Sequence, residues 1–164
     1  MRLLQVAQPK SPDRSNLAIM HEQPFPAVDR SACNCFALRQ AARHVTQIYD
    51  RHMAKVGLRA TQFSVLAKLS RLERVSINEL ANSMVMDRTT LGRAIRPLER
   101  EGLLTIGPGG DGRTRSLRLT PAGQARLEAA AGRWRDAQAE FEMAFGAHEA
   151  ADLRSTLNRV IAET

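Results

Sequence analysis

Thr89, Arg93, Arg96 and Arg100 recur at i, i+4, i+7 and i+11, a spacing that sets them along one stripe of a 3.6-residue helix. Hydroxyl and guanidinium groups on a short rod suit the reading of a duplex groove. Arginine forks onto guanine, threonine bonds a base edge or touches a thymine methyl, and both hold phosphate oxygens. Arg88 and Thr90 extend the same end of the rod. The plainer reading is a solvated cationic face, the commoner fate of a charge stripe. The stripe alone does not choose between them.

A different chemistry is available at Cys33-Asn34-Cys35. A thiol at a helix start feels the positive end of the dipole, and Arg39 one turn on adds to that field; both favour the reactive thiolate. Residues i and i+2 of a regular helix point about 200° apart, so a Cys33–Cys35 bond demands an unwound helix start, which would make the pair a switch. Against this stands Cys35 as a buried small hydrophobe, the usual state of a free cysteine. Zinc is disfavoured: Cys33, Cys35, His44 and His52 show no recognised ligand spacing, and one helix cannot converge them. No catalytic residue, cofactor or metal is assigned, and the chain is not read as an enzyme.

The elements that must position the stripe are legible around it. Ser76-Ile77-Asn78-Glu79 is a capping box opening a short helix, with Ile77, Leu80 and Ala81 at helical spacing. Asn82-Ser83 weakens it before a Met84-Val85-Met86 turn. Asp87 is a good N-cap for the second helix, which runs to about Glu101, with Gly102 placed for the left-handed C′ position. Leu91, Ile95 and Leu98 form its apolar stripe, and Pro97 lacks an N–H and predicts a kink near Arg93. Leu103–Ile106 and Arg113–Thr120 flank a Gly-rich loop and read as a hairpin, its tip carrying Asp111, Arg113 and Arg115. A flexible tip presenting arginine fits a narrow minor groove, where negative potential is concentrated. Asp111 pairing an arginine to stiffen the loop is compatible with that role. The hairpin tips the reading of the stripe toward duplex DNA.

In order and spacing, Gln62-Phe63-Ser64-Val65-Leu66, Ile77-Asn78-Glu79-Leu80-Ala81, Asp87-Arg88-Thr89-Thr90-Leu91, Leu98-Glu99-Arg100-Glu101-Gly102-Leu103, Asp111-Gly112-Arg113 and Leu119-Thr120-Pro121-Ala122-Gly123 resemble the MarR family of bacterial winged helix-turn-helix regulators. The resemblance covers roughly residues 34 to 164. It implies an obligate homodimer, a palindromic operator, and repression relieved by a small-molecule effector or by oxidation. It also implies DNA-binding roles for Arg88, Thr89, Thr90, Arg93, Arg96, Asp111, Arg113 and Arg115. Gly112 stands where the family often carries charge and Arg115 where it is often apolar, which implies a looser, more basic wing. Cys35-Phe36-Ala37-Leu38 with Tyr49 is similar to the organic-hydroperoxide-sensing branch, making Cys33, Cys35 and Tyr49 the redox-switch candidates. Arg39 and Ala60 stand where further tyrosines would be expected, so the match is partial.

The chain of 164 residues is one domain's worth, and 43% apolar content supports a real core. No run approaches a membrane span, and Met1 to Met20 lacks the apolar centre of a secretory signal, so a cytoplasmic protein follows. Two cysteines there make a structural staple unlike the rule. Lys and Arg against Asp and Glu number five against one in residues 31–60, seven against four in 86–120, and five against seven in 121–164. Basic charge is thus gathered in the middle, as expected if one face meets a polyanion. Aromatics are 4% and not interleaved with it, against a base-stacking single-strand binder.

Residues 1–30 hold four of the seven prolines and read as a mobile arm; Met20 could even be the true start. A helix over about Cys35 to Ala54 follows, ended by Gly57. Thr61 then caps a helix burying Phe63, Leu66, Leu69 and Leu72, and Arg74-Val75 adds a third strand to the wing. Thr120 caps, and Pro121 opens, a helix over 121 to about 145 carrying Leu127, Trp134, Phe141 and Phe145. A last helix spans roughly 148–162. The domain organisation expected is therefore an arm at 1–30 and one domain at 31–164. Within it lie a winged helix-turn-helix over about 58–120 and dimerisation helices over about 35–56 and 121–162. The apolar stripes of those helices are most simply buried against a second copy, although Trp134 and Phe141 would also suit a cofactor pocket. The fold class expected is mostly α with a small antiparallel β-wing. The function expected is a dimeric, sequence-specific regulator of double-stranded DNA, a repressor released by thiol oxidation or a small ligand. The alternative is a thiol redox protein using Cys33 and Cys35, which lacks a thioredoxin-like βαβ context.

Overall fold

The computed structural model describes residues 32–72, 74–109 and 114–162; the expected N-terminal arm and the wing-tip residues Asp111 and Arg113 lie outside them. Contacts divide the chain into Met1–Ala37 and Leu38–Thr164. In the first unit a helical turn is closed by Ala37 N donating to Cys33 O at 3.0 Å.

Among the described residues six helices and three strands follow one another: α1 (Asn34–Met53), a 3-10 turn (Ala54–Val56), α2 (Ala60–Leu69), β1 (Val75–Ser76), α3 (Ile77–Ser83), α4 (Arg88–Arg100), β2 (Leu104–Pro108), β3 (Arg115–Leu119), α5 (Pro121–Phe145) and α6 (Ala147–Ala162). This is the mostly helical class with a small antiparallel wing that the pattern implies. The sheet runs β1-β3-β2, with Val75 opposite Leu117 and Ile106 also opposite Leu117. Pro108, which has no N–H to give a ladder, sits on the edge strand β2.

The core gathers where α2, α3, α4 and the sheet meet. Leu66, Leu80, Leu91, Leu98 and Leu117 are fully enclosed, each contributing roughly 1.5–3 kcal/mol relative to exposure. The three α4 positions Leu91, Ile95 and Leu98 are all buried, which fixes α4 on its apolar stripe and turns the opposite face outward. The Ser76 box forms as expected: Glu79 N donates to Ser76 Oγ at 3.1 Å, and Ser76 N donates to Glu79 Oε2 at 2.8 Å. That backbone donor holds the Glu79 carboxyl below its ordinary range.

Several boundaries differ from expectation. Thr61 does not cap α2; the helix begins at Ala60 after Arg59, and Asp50 of α1 accepts from Ala60 N at 2.7 Å. The donor of that first turn is satisfied from another element, which no local cap pattern announces. Leu72 lies past the end of α2 and is exposed, not buried. The strand β2 continues through Gly107 and Pro108, so Arg115 is paired opposite Pro108 in the sheet rather than carried on the tip. The α3–α4 turn passes through Val85 at φ 52, a left-handed conformation rare for a β-branched residue.

Two glycines are demanded by geometry. Gly102 takes φ 69 after α4, which lets Leu103 N donate back to Leu98 O at 2.9 Å. Gly123 sits in the first turn of α5, where a Cβ would overlap the Leu103 carbonyl oxygen. Thr120 secures this junction: its hydroxyl donates to Gly102 O at 2.7 Å and accepts from Gly123 N at 3.0 Å. The helix start, the C-cap of α4 and the wing are thereby locked into one corner.

Candidate nucleic-acid interface

The N-cap of α4 is anchored before its surface is presented. Thr90 N donates to Asp87 Oδ1 at 2.8 Å, and the Thr90 hydroxyl donates to the other carboxylate oxygen. These two bonds, the hydroxyl's first, hold the Asp87 carboxyl below its ordinary range. Thr90 therefore spends its proton on the cap, and its neighbour Thr89 is the one aimed into the groove described next. Proline at 97 leaves α4 a continuous helix over Arg88–Arg100.

Arg88, Thr89, Gly92, Arg93, Arg96 and Arg115 line an open groove of about 570 Å³ between α4 and the wing, with Ile77, Ile95 and Ile106 toward its floor and Glu99 on its rim. A second hollow of about 370 Å³ continues along α4 past Arg93, Arg96, Pro97 and Arg100. On the other side, Asn78, Arg88, Thr114 and Arg115 border a third of about 300 Å³. Arg88, Thr89, Arg93, Arg96 and Arg115 are exposed, and among the described residues none of these four arginines pairs with a carboxylate. The flanking helices differ. There Arg126 pairs with Glu101 at 3.8 Å, Arg133 with Asp136 at 3.1 Å and Arg154 with Glu142 at 3.3 Å. The α4–wing face thus presents guanidinium groups held in no ion pair with a described carboxylate, at hydrogen-bonding reach of anything seated in the groove.

Five of the eight sequence-predicted contact residues are brought together here. Thr90 is on the helix but turned to its cap, and Asp111 and Arg113 fall outside the described residues. Gly92 is the member of this face that the sequence pattern does not single out. Its signal is a glycine inside an exposed helical stretch, where it costs about 1 kcal/mol against alanine.

The redox candidates lie at and along α1. Cys33 is half-buried, Cys35 is exposed, and both are free thiols. Cys33 precedes the first helical residue, Asn34. The Tyr49 hydroxyl donates to Gln138 Oε1 of α5. Burial pushes the Tyr49 hydroxyl pKa up, Glu142 adding to the effect and Arg154 opposing it. Beside it, Glu140 of α5 accepts from Arg51 and lies 2.7 Å from His52 Nε2; the His52 contact leads in keeping the Glu140 carboxyl below its ordinary range. Among the described residues no three His, Cys, Asp or Glu side chains converge as a metal site, and no helix is long and apolar enough to cross a membrane.

Comparison with known proteins agrees with this geometry. The model of the MarR family matches residues 58–106. The transcriptional regulator MosR from M. tuberculosis, solved in complex with DNA, is 35% identical, with a TM-score of 0.71, over 80% of this chain and 95% of its own. A probable transcriptional regulator from Pseudomonas aeruginosa is 27% identical, with a TM-score of 0.71, over 79% of this chain and 98% of its own. A mutant MarR from E. coli complexed with operator DNA shares the fold at 21% identity, with a TM-score of 0.68, over 76% of this chain and 90% of its own. No curated protein matches the chain.

Proposed function

The chain belongs to the MarR family of DNA-binding transcriptional regulators, and from that premise we propose that it is a homodimeric repressor of a palindromic operator, acting in the cytoplasm and released by thiol oxidation. The observation that carries the DNA reading is the groove in which Arg88, Thr89, Arg93, Arg96 and Arg115 converge. The α4 side chains enter a major groove, with Arg93 and Arg96 on base edges or phosphates and Thr89 at shorter range. Arg115, with Asp111 and Arg113 beyond it, carries the wing to the adjacent minor groove.

Dimerisation by helices over about 35–56 and 121–162 is supported by the apolar side chains they leave uncovered. Leu38 is 44% exposed, Trp134 39%, Met143 83%, Phe145 48% and Ile161 57%, and Phe141 stacks on Phe145 at 5.4 Å. A second copy would bury these faces and set two α4 helices about 34–36 Å apart, one turn of duplex. The same surfaces are where a small ligand would act if oxidation is not the signal.

The exposed Cys35 favours oxidation. A hydroperoxide takes the thiolate to a sulfenic acid, leaving as the alcohol or water; the Cys33 thiol then displaces water from that sulfur and closes a disulfide. Closure unwinds the first turn of α1, because Cys33 is outside the helix and Cys35 within it.

The experiment is a binding titration of the full chain. Arg93→Glu, or Arg113→Glu, abolishes operator binding while leaving a folded dimer. Wild-type affinity falls roughly tenfold or more on a fourfold rise in salt as phosphate counterions are released. Salt-independent binding, or intact binding by Arg93→Glu, contradicts the reading.

A further inference from the structure

Gly92 occupies the middle of α4, three residues after Thr89 and four before Arg96, so it shares their face. It is half-exposed and lines the α4–wing groove. Nothing inside the chain asks for a glycine there. A Cβ built on Gly92 meets no atom within 4 Å, and its φ is not in the left-handed region. Gly123 and Gly102 are explained by a collision and by a positive φ; Gly92 is explained by neither. It also weakens an exposed helix interior that alanine would strengthen.

The remaining use of a missing side chain is close approach by something outside the chain. The neighbouring side chains make that approach necessary. Arginine spans several bonds to its donors, so Arg93 and Arg96 reach a base edge or phosphate from a distance. Thr89 ends one bond past its Cβ and reaches the same surface only if the helix backbone lies close to it. A side chain at position 92 would act as a spacer and lift Thr89 away. Resting on the reading of α4 as the duplex-reading helix, we propose that Gly92 is the point of closest approach between α4 and the DNA. Its bare backbone sets how deeply the helix seats, and so whether Thr89 contacts the duplex.

The test uses the full chain and the duplex that the wild-type protein enriches from a random pool, with Gly92→Ala and Gly92→Leu. Gly92→Ala unfolds at a temperature a few degrees above wild type, yet binds about tenfold more weakly. Gly92→Leu stays folded and binds about a hundredfold more weakly. Neither changes the slope of affinity against salt, since no cation is removed. Thr89→Val loses affinity in the wild-type background and loses none when combined with Gly92→Leu, because that contact is already gone. Binding within twofold of wild type by both Gly92 variants overturns the proposal while leaving the DNA reading standing. Lowered unfolding temperatures for both variants also overturn it, by showing that the glycine serves the fold. Failure of the wild type to enrich any duplex removes the underlying reading, and this proposal with it, before a variant is compared.

Discussion

The Tyr49 hydroxyl of α1 donates to the Gln138 side-chain oxygen of α5, joining two helices across 89 residues of sequence. Gln138 Nε2 in turn donates to Glu142 Oε1 at 3.2 Å, and Arg154 of α6 reaches the same oxygen at 3.3 Å. The seam ties together the three helices proposed to form the dimer, and Arg51 and His52 fasten α1 to Glu140 alongside it. In the proposed dimer the angle between these helices would govern the separation of two α4 readers, so the seam is where that geometry would be held.

Tyr49→Phe keeps the ring and removes the donor, leaving the Gln138 oxygen without its partner. Stability should fall by about 1 kcal/mol, read from denaturant midpoints at neutral pH. The raised pKa of Tyr49 means the folded state prefers the neutral phenol. That contribution is complete below the ordinary value of 10.0 and is lost as pH rises through the folded value. Wild type should therefore lose more stability than Tyr49→Phe on going above pH 10, and parallel losses would show the hydroxyl is not coupled to folding.

The cap of α4 works in the opposite direction. The folded-state pKa of Asp87 is depressed from 3.8, so its contribution is present above that value and lost as pH falls through the lowered one. Asp87→Asn should show a shallower loss of stability in acid than wild type, in unfolding curves taken from neutral pH downward. Identical acid limbs would mean that the ionised carboxylate adds nothing to the cap.

Gly123→Ala forces a Cβ onto the Leu103 carbonyl at the corner where α4, the wing and α5 are joined. The expected cost is about 1–3 kcal/mol, the usual range for overpacking that must shift backbone, read as a lowered unfolding midpoint. An unchanged midpoint would show that the corner yields freely.

Cys35→Ser should bind the operator like wild type and fail to release it on peroxide treatment, while Cys33→Ser forms the sulfenic acid without closing the disulfide. Gel shifts with and without peroxide, together with thiol counting, separate these states. Normal release by Cys35→Ser would leave a small ligand as the signal.

Much of the fold was legible because its determinants are local. The Ser76–Glu79 box, the Asp87 cap, the Gly102 stop and the Thr120-Pro121 helix start are each signalled by residues close in sequence, and the stripe Leu91, Ile95 and Leu98 names its own buried face. What escaped was set at a distance. Asp50 caps α2 from another helix, so the local signal at Thr61 misleads. The Tyr49–Gln138 and His52–Glu140 pairs bridge nearly ninety residues and leave no periodic trace. Arg115 was expected on the tip because a Gly-rich run hides how far a strand continues through Gly107 and Pro108. Gly92 lines the groove without a side chain, so no chemistry-bearing group in the sequence marks it.

The most direct measurement is selection of bound sequences from a random double-stranded pool by the purified full-length chain. The expected result is enrichment of an inverted repeat whose half-sites stand about one helical turn, 10–10.5 base pairs, apart. Enrichment of a single unrepeated site, or of nothing at low salt, would contradict it.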